Sequence, residues 1–188
     1  MRYAQFLQAL EQRPLYDRTH FRVDDRQLQR WVRSGRLLRL RRGLYLVSER
    51  QATAVEIANS LVPQSYVSGL SALALHGYVA PPQGVISVTR QRPRRFDTPL
   101  GQFSFHRLAD PGLIGSVVEG VASPERALLD HFRLTPGLVT LPLAGADRLD
   151  YDHLLANFRG LPQRLRRLVG RTLNRCRRDR FRARKKLF

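Results

Sequence analysis

Lysine is nearly missing from this chain. Of its 33 cationic residues only Lys185 and Lys186 are lysines, and the other 31 are arginines. A phosphate-cradling loop ending in Gly-Lys-Ser/Thr is therefore excluded, as is a Schiff-base or kinase-type lysine in the folded middle. Cysteine is equally scarce. Cys176 stands alone, which rules out an internal disulfide framework and a multi-cysteine zinc site. No run approaches the roughly 18 apolar residues that span a bilayer. The segment from Met1 to Glu11 is too polar for a signal peptide. These absences lead to the expectation of a soluble, cytoplasmic protein with no membrane partner.

Catalytic and metal-binding patterns are also lacking. The five histidines, His20, His76, His106, His131 and His153, form no His-Glu-x-x-His helix and no close pair with ligand spacing. Asp130 and His131 are adjacent, so their side chains diverge on a helix. Asp147, Asp150 and Asp152 read as N-capping and dipole-complementing residues ahead of a helix. Ser68 and Ser71 lack a Gly-x-Ser-x-Gly setting. Neither a cofactor nor a metal nor a catalytic constellation is expected.

What the chain does hold is apolar residues at 43%, enough to bury a core in 188 residues, and a formal charge of +18. That charge is unevenly spread: residues 1–50 carry +7, residues 51–158 carry −1, and residues 159–188 carry +12. Two basic ends flank a near-neutral middle, a pattern that favours a polyanionic partner, with nucleic acid foremost. Guanidinium groups suit phosphate and guanine better than ammonium groups do.

Residues 1–50 are predicted to form a winged helix-turn-helix. Tyr3, Phe6, Leu7 and Leu10 have helical spacing ahead of Pro14. Leu15 to Val23 is ambiguous, with Leu15, Tyr16, Phe21 and Val23 partly buried. Asp24 with Gln27 marks a helix start. Leu28, Trp31 and Val32 line its inner face, and Gly35 sits at the stop. The outer face offers Arg26, Gln27, Gln29, Arg30 and Arg33, from which Arg26, Gln27, Arg30 and Arg33 are the candidate base-reading residues. Two apolar strands around Arg41-Arg42-Gly43 make a hairpin, so Arg39, Arg41 and Arg42 become candidate phosphate contacts from the wing.

The middle, residues 51–160, alternates helices and strands. Ser48 with Gln51 is a capping candidate for a helix that carries Ala54, Val55, Ala58 and Leu61 to Pro63. Gly69 to His76 is a small-residue helix closed by Gly77. Val85–Thr89 and Gln102–His106 are strands expected to pair antiparallel across a basic loop. Arg92, Arg94 and Arg95 of that loop are candidate accessory phosphate contacts. Val117 to Ala122 is a further strand, Ser123-Pro124 opens a helix ending at Pro136, and Asp150 to Phe158 is another helix. Residues 161–188 hold a basic amphipathic helix to about Cys176 and an arginine-rich tail. There, Arg177, Arg178 and Arg180 are further candidate phosphate contacts, with RNA as a possible ligand of the tail. The fold class is α+β.

Laid out this way, the chain resembles the AbiEi family of antitoxins and transcriptional regulators from bacterial abortive-infection, type IV toxin–antitoxin systems. The likeness lies in Trp31-Val32-Arg33-Ser34-Gly35-Arg36-Leu37 through Arg42-Gly43-Leu44-Tyr45, in Ser65-Tyr66-Val67-Ser68-Gly69 to His76-Gly77, and in Ser123-Pro124-Glu125-Arg126-Ala127-Leu128-Leu129-Asp130. The resemblance implies an N-terminal domain that binds inverted repeats of double-stranded DNA at its own promoter. It also implies a second domain that counters a nucleotidyltransferase toxin without a stable complex, with Tyr66, Ser68, His76, Glu125, Arg126 and Asp130 as its motif residues. Two other classes stay open: an RNA- or ribosome-associated basic protein, and an enzyme with Tyr66, Ser68, His76 and Asp130 gathered in a cleft.

Overall fold

A computed structural model describes residues 1–108, 116–135, 141, 143–144, 148–149 and 162–185, with side chains of the last stretch described up to Arg175 except for Leu173. The architecture is α+β, with two sheets and six helices among the described residues.

The chain opens with α1 (Tyr3–Ala9) and a short strand β1 (Leu15–Asp17). Arg18 to Phe21 form a turn and bend and Arg22 to Asp24 are irregular, with no helix between β1 and α2 (Asp25–Arg33). Asp24 caps α2, its carboxylate accepting from the backbone N–H groups of Arg26 (2.9 Å) and Gln27 (3.2 Å). At the other end Gly35 takes a left-handed φ of 71°. The N–H of Gly35 bonds the Val32 carbonyl and that of Arg36 the Trp31 carbonyl, satisfying two otherwise free helix carbonyls. The hairpin β2 (Leu37–Arg41) and β3 (Leu44–Val47) follows, and the first sheet has the order β1-β3-β2, antiparallel throughout.

This sheet divides its side chains between two cores, as period-two alternation requires. Tyr16, Tyr45, Leu37 and Val47 face α1 and α2 and join Phe6, Leu28 and Trp31 in an aromatic-rich core. Phe6 lies at its centre, 4.9 Å from the Trp31 ring and 5.2 Å from that of Tyr16. Leu15, Leu40, Leu44 and Leu46 face the opposite way and belong to the core of the middle region. The boundary near residue 50 is therefore a change in charge, while the apolar packing runs across it.

The middle region begins with α3 (Ala54–Leu61), whose N-cap is Thr53 and not Ser48. The Thr53 hydroxyl accepts from the Glu56 N–H at 3.1 Å and the Glu56 carboxylate accepts from the Thr53 N–H at 2.7 Å. Ser48 is instead still tied to the first sheet, its N–H on the Arg36 carbonyl at 3.0 Å. Then come β4 (Tyr66–Val67), α4 (Gly69–Leu75), β5 (Gly84–Thr89), β6 (Arg94–Thr98), β7 (Gly101–Arg107), β8 (Val117–Val118), β9 (Val121–Ala122) and α5 (Pro124–Leu134). The second sheet has the order β6-β7-β5-β4-β9-β8.

Three expectations fail here for topological reasons. β5 and β7 pair parallel, because the basic segment between them contributes its own strand, β6, which forms an antiparallel hairpin with β7. Val117 to Ala122 is two strands, folded back at Glu119 (φ 50°) and Gly120 (φ 80°). A side chain on Gly120 would also collide with the Asn59 amide of α3. Finally, the last helix, α6 (Gln163–Lys185), continues well past Cys176. Arginine, alanine and lysine are good helix formers, so propensity carries the backbone where apolar spacing does not. The helix expected over Asp150 to Phe158 and the stop at Pro136 lie outside the described residues.

Candidate nucleic-acid interface and central polar network

The N-terminal region and the middle region each concentrate functional-type side chains, in opposite settings. On the exposed face of α2 stand Arg26, Arg30 and Arg33, with Gln27 half-buried; on the hairpin, Arg39 and Arg42 are exposed. Leu28 and Trp31 anchor the helix from beneath, so the 3.6-residue period turns the arginines outward. The strand register places Arg39 opposite Tyr45, on the α2 side of the sheet. Between helix and hairpin lies a cleft of about 460 Å³ lined by Arg18, Asp25, Gln29, Arg33, Arg39 and Arg42, with Val32 and Tyr45 at its base. Arg26, Arg30, Arg33, Arg39 and Arg42 form no ion pair among the described residues.

Arg41 departs from its expected place. The β2–β3 register shifts between Arg39 and Arg41, and such a bulge re-aims the side chain that follows it. The Arg41 guanidinium turns inward to donate to Asp17 at 3.3 Å and to the Ser60 carbonyl at 3.4 Å. It fastens the hairpin to α3 and is half-buried, its side chain 30% exposed.

Arg94 and Arg95 are exposed on strand β6, and Arg92 is exposed in the irregular segment before it. Arg95 has Asp97 at 3.7 Å in solvent, a pair of little energetic weight. Arg177, Arg178 and Arg180 lie within α6, and their side chains fall outside the described set.

The central motif residues meet in a buried network. Ser68, immediately before α4, is fully buried, as is Asp130 of α5; Arg126, one turn earlier on α5, is 4% exposed. Asp130 Oδ2 accepts from Tyr66 Oη at 2.9 Å, Ser68 Oγ at 2.8 Å and Arg126 Nε at 3.1 Å. Arg126 Nη2 donates to Tyr66 Oη at 2.8 Å, closing the ring of contacts. Burial, and then the Asp130 carboxylate, push the Tyr66 phenol well above its ordinary value of 10.0, so it stays protonated and donating. For Arg126, burial works against the cation, but Asp130 and Tyr66 more than offset it and hold the guanidinium charged.

His76 does not join this network. It is exposed, and its Nε2 lies 2.9 Å from the Ala122 carbonyl, linking the end of α4 to β9. Glu125 is buried in the first turn of α5. Four clefts among the described residues are lined by other side chains than Tyr66, Ser68, Arg126 and Asp130. No group of three or more His, Cys, Asp or Glu residues with metal-holding geometry occurs among the described residues. No helix there is long and apolar enough to cross a membrane.

Spacing gave no signal for Arg18 or Asp25 as cleft residues. Arg18 reaches the cleft because β1 ends beside the hairpin turn, where its N–H bonds the Gly43 carbonyl at 3.1 Å. In comparisons of the whole sequence, no protein-family model and no curated protein matches the chain.

Proposed function

We propose that the chain is a DNA-binding transcriptional regulator whose N-terminal region works as a winged helix. In this reading α2 enters the major groove and the β2–β3 hairpin lies along adjacent phosphates. The observation that carries it is the cleft flanked by exposed, unpaired arginines from two different elements, helix and hairpin. A solvated charge run would ordinarily stay on one element. The strand–helix–hairpin order and the β1-β3-β2 sheet support the same reading, with an irregular turn in the place of a second helix. Arg30 and Arg33, with Gln29 beside them, are suited to base edges; Arg39 and Arg42 are suited to backbone phosphates. The basic strand β6 and helix α6 would supply accessory, sequence-independent contacts.

The central network has the character of a structural lock. Asp130 Oδ2 already accepts three bonds while its Oδ1 is buried without a hydrogen-bond partner, and Ser68, Arg126 and Asp130 are buried with Tyr66 half-buried. This argues for a scaffold and against an enzyme. The resemblance to AbiEi proteins adds that the operon target would be the chain's own promoter and that a nucleotidyltransferase toxin would be its functional counterpart. Rescue of growth when the chain is co-expressed with a nucleotidyltransferase encoded beside it would support that part; no rescue would leave a regulator without antitoxin activity.

The direct test is binding to duplexes selected from a randomised pool. Replacing Arg30 and Arg33 with Ala should weaken binding and broaden the preferred sequence. Replacing Arg39 and Arg42 with Ala should weaken all duplexes alike and lower the salt slope by about one per residue. Affinity unmoved by all four changes sinks the assignment. Structured RNA outcompeting selected DNA at physiological salt would move it to the RNA-binding class.

A further inference from the structure

The cleft contains one carboxylate among its cations. Asp25, in the first turn of α2, is paired with Arg18 at 2.6 Å, and its side chain remains 66% exposed. Arg18 is held from three directions. Its N–H bonds the Gly43 carbonyl at 3.1 Å. Its aliphatic stem lies over the turn, at ordinary van der Waals distance (3.7 Å to Cδ) from where a Cβ on Gly43 would be. Its guanidinium reaches across to Asp25. Arg18 thus bridges the hairpin tip to the start of the helix.

This arrangement is poorly suited to a phosphate. Asp24 already caps α2 with a second carboxylate, so the helix N-terminus carries two negative charges where an anion would otherwise bind. A phosphate placed there would meet repulsion and would have to compete with Asp25 for Arg18. Base edges present the opposite chemistry. In the major groove the exocyclic amino group of cytosine, and that of adenine, is a donor that a carboxylate can accept.

We propose that Asp25, positioned by Arg18, is a specificity-determining residue that accepts a hydrogen bond from an exocyclic base amino group and excludes phosphate from the head of α2. The proposal rests on the DNA-binding reading above and assigns polarity within it. The outer face of α2, from its N-terminal turn to Arg33, faces base edges, while phosphates lie along the hairpin at Arg39 and Arg42. Asp25 touches the base, and Arg18 is a positioning residue acting through it.

Selection from a randomised duplex pool, followed by titration of the best site and of an unselected duplex, separates the possibilities. Asp25→Ala removes both the acceptor and the charge and frees Arg18. It should tighten binding to the unselected duplex and steepen its salt dependence by about one ion. The ratio of selected to unselected affinity should fall by about 5- to 150-fold, the range for loss of one base contact. The sequence preference should relax at one position. Arg18→Ala should lower the same ratio without tightening unselected binding, since no cation is released. Thermal melting of each variant confirms that it is folded. If the wild-type chain binds no duplex, the DNA reading itself falls, and this proposal with it. If wild-type binding is sequence-selective and Asp25→Ala leaves the ratio and the preference unchanged, Asp25 is a helix-dipole residue only and the proposal alone is overturned.

Discussion

The central network and the N-terminal cleft are both built around arginine, and they differ in where the guanidinium finds its partner. Arg126 is buried against Asp130 and Tyr66 inside the chain. Arg33, Arg39 and Arg42 line an open cleft and find no carboxylate of their own. The buried pair is costly to desolvate and costlier to break, because removing one partner strands the other. The open arginines cost little to keep, since water solvates them, and they remain available to an external anion. Arg41 stands between the two cases: it lies on the hairpin and is half-buried, its guanidinium paired with Asp17. The lesson is that a cation's role follows from its nearest carboxylate, and a single strand bulge can change that partner.

Variants can sharpen this contrast. The largest effect is expected for Arg126→Met, which leaves Asp130 buried and unpaired and should cost about 3 to 5 kcal/mol in chemical denaturation. Adding Asp130→Leu should recover most of that loss, because no stranded charge remains; a double variant as unstable as the single would mean that packing, not charge, holds the network.

A Leu128→Ala substitution should cost about 2 to 5 kcal/mol. Its further use lies in the probe. The chain has a single tryptophan, Trp31, which lies in the other core. If the first sheet couples the two cores, Trp31 fluorescence and far-ultraviolet dichroism should shift together. A fluorescence transition left in place while dichroism shifts would show two independent folding units.

Tyr66→Phe should cost about 1 to 3 kcal/mol, since it removes a donor from Asp130 and an acceptor from Arg126 inside the fold. DNA binding by the folded fraction should be unchanged. On the hairpin, Arg41→Ala and Arg42→Ala should separate stability from affinity. The first should lower the melting temperature through loss of the Asp17 and Ser60 contacts. The second should leave stability within about 0.5 kcal/mol and weaken DNA binding.

The smallest effect concerns pH. Burial pushes the His131 imidazole below its ordinary value of 6.5. The unfolded chain therefore binds a proton more readily, and stability from this group is complete above pH 6.5 and declines as pH falls below it. His131→Phe should flatten that part of a stability–pH profile measured by denaturant titration.

Much of this molecule can be read locally. The start of α2 at Asp24, its stop at Gly35, the hairpin around Gly43 and the Ser123-Pro124 opening of α5 all depend on neighbours within a few residues, where dihedral preference and capping chemistry decide. The outward arginine face of α2 follows from the same 3.6-residue period. Less legible was the start of α3: Ser48 with Gln51 has capping spacing, but Ser48 is tied to the first sheet and Thr53 with Glu56 caps the helix.

What sequence alone determined is the class of chain: an arginine-rich α+β protein with charge at both ends and a candidate groove-facing helix. Tertiary structure decided the rest. Parallel pairing of β5 with β7, inward rotation of Arg41, the meeting of Tyr66 and Ser68 with Arg126 and Asp130 some sixty residues away, and the pairing of Arg18 with Asp25 are all contacts between elements. Local propensity carries no information about such contacts, because their energy depends on which surfaces the whole chain buries and which carboxylate each guanidinium then finds.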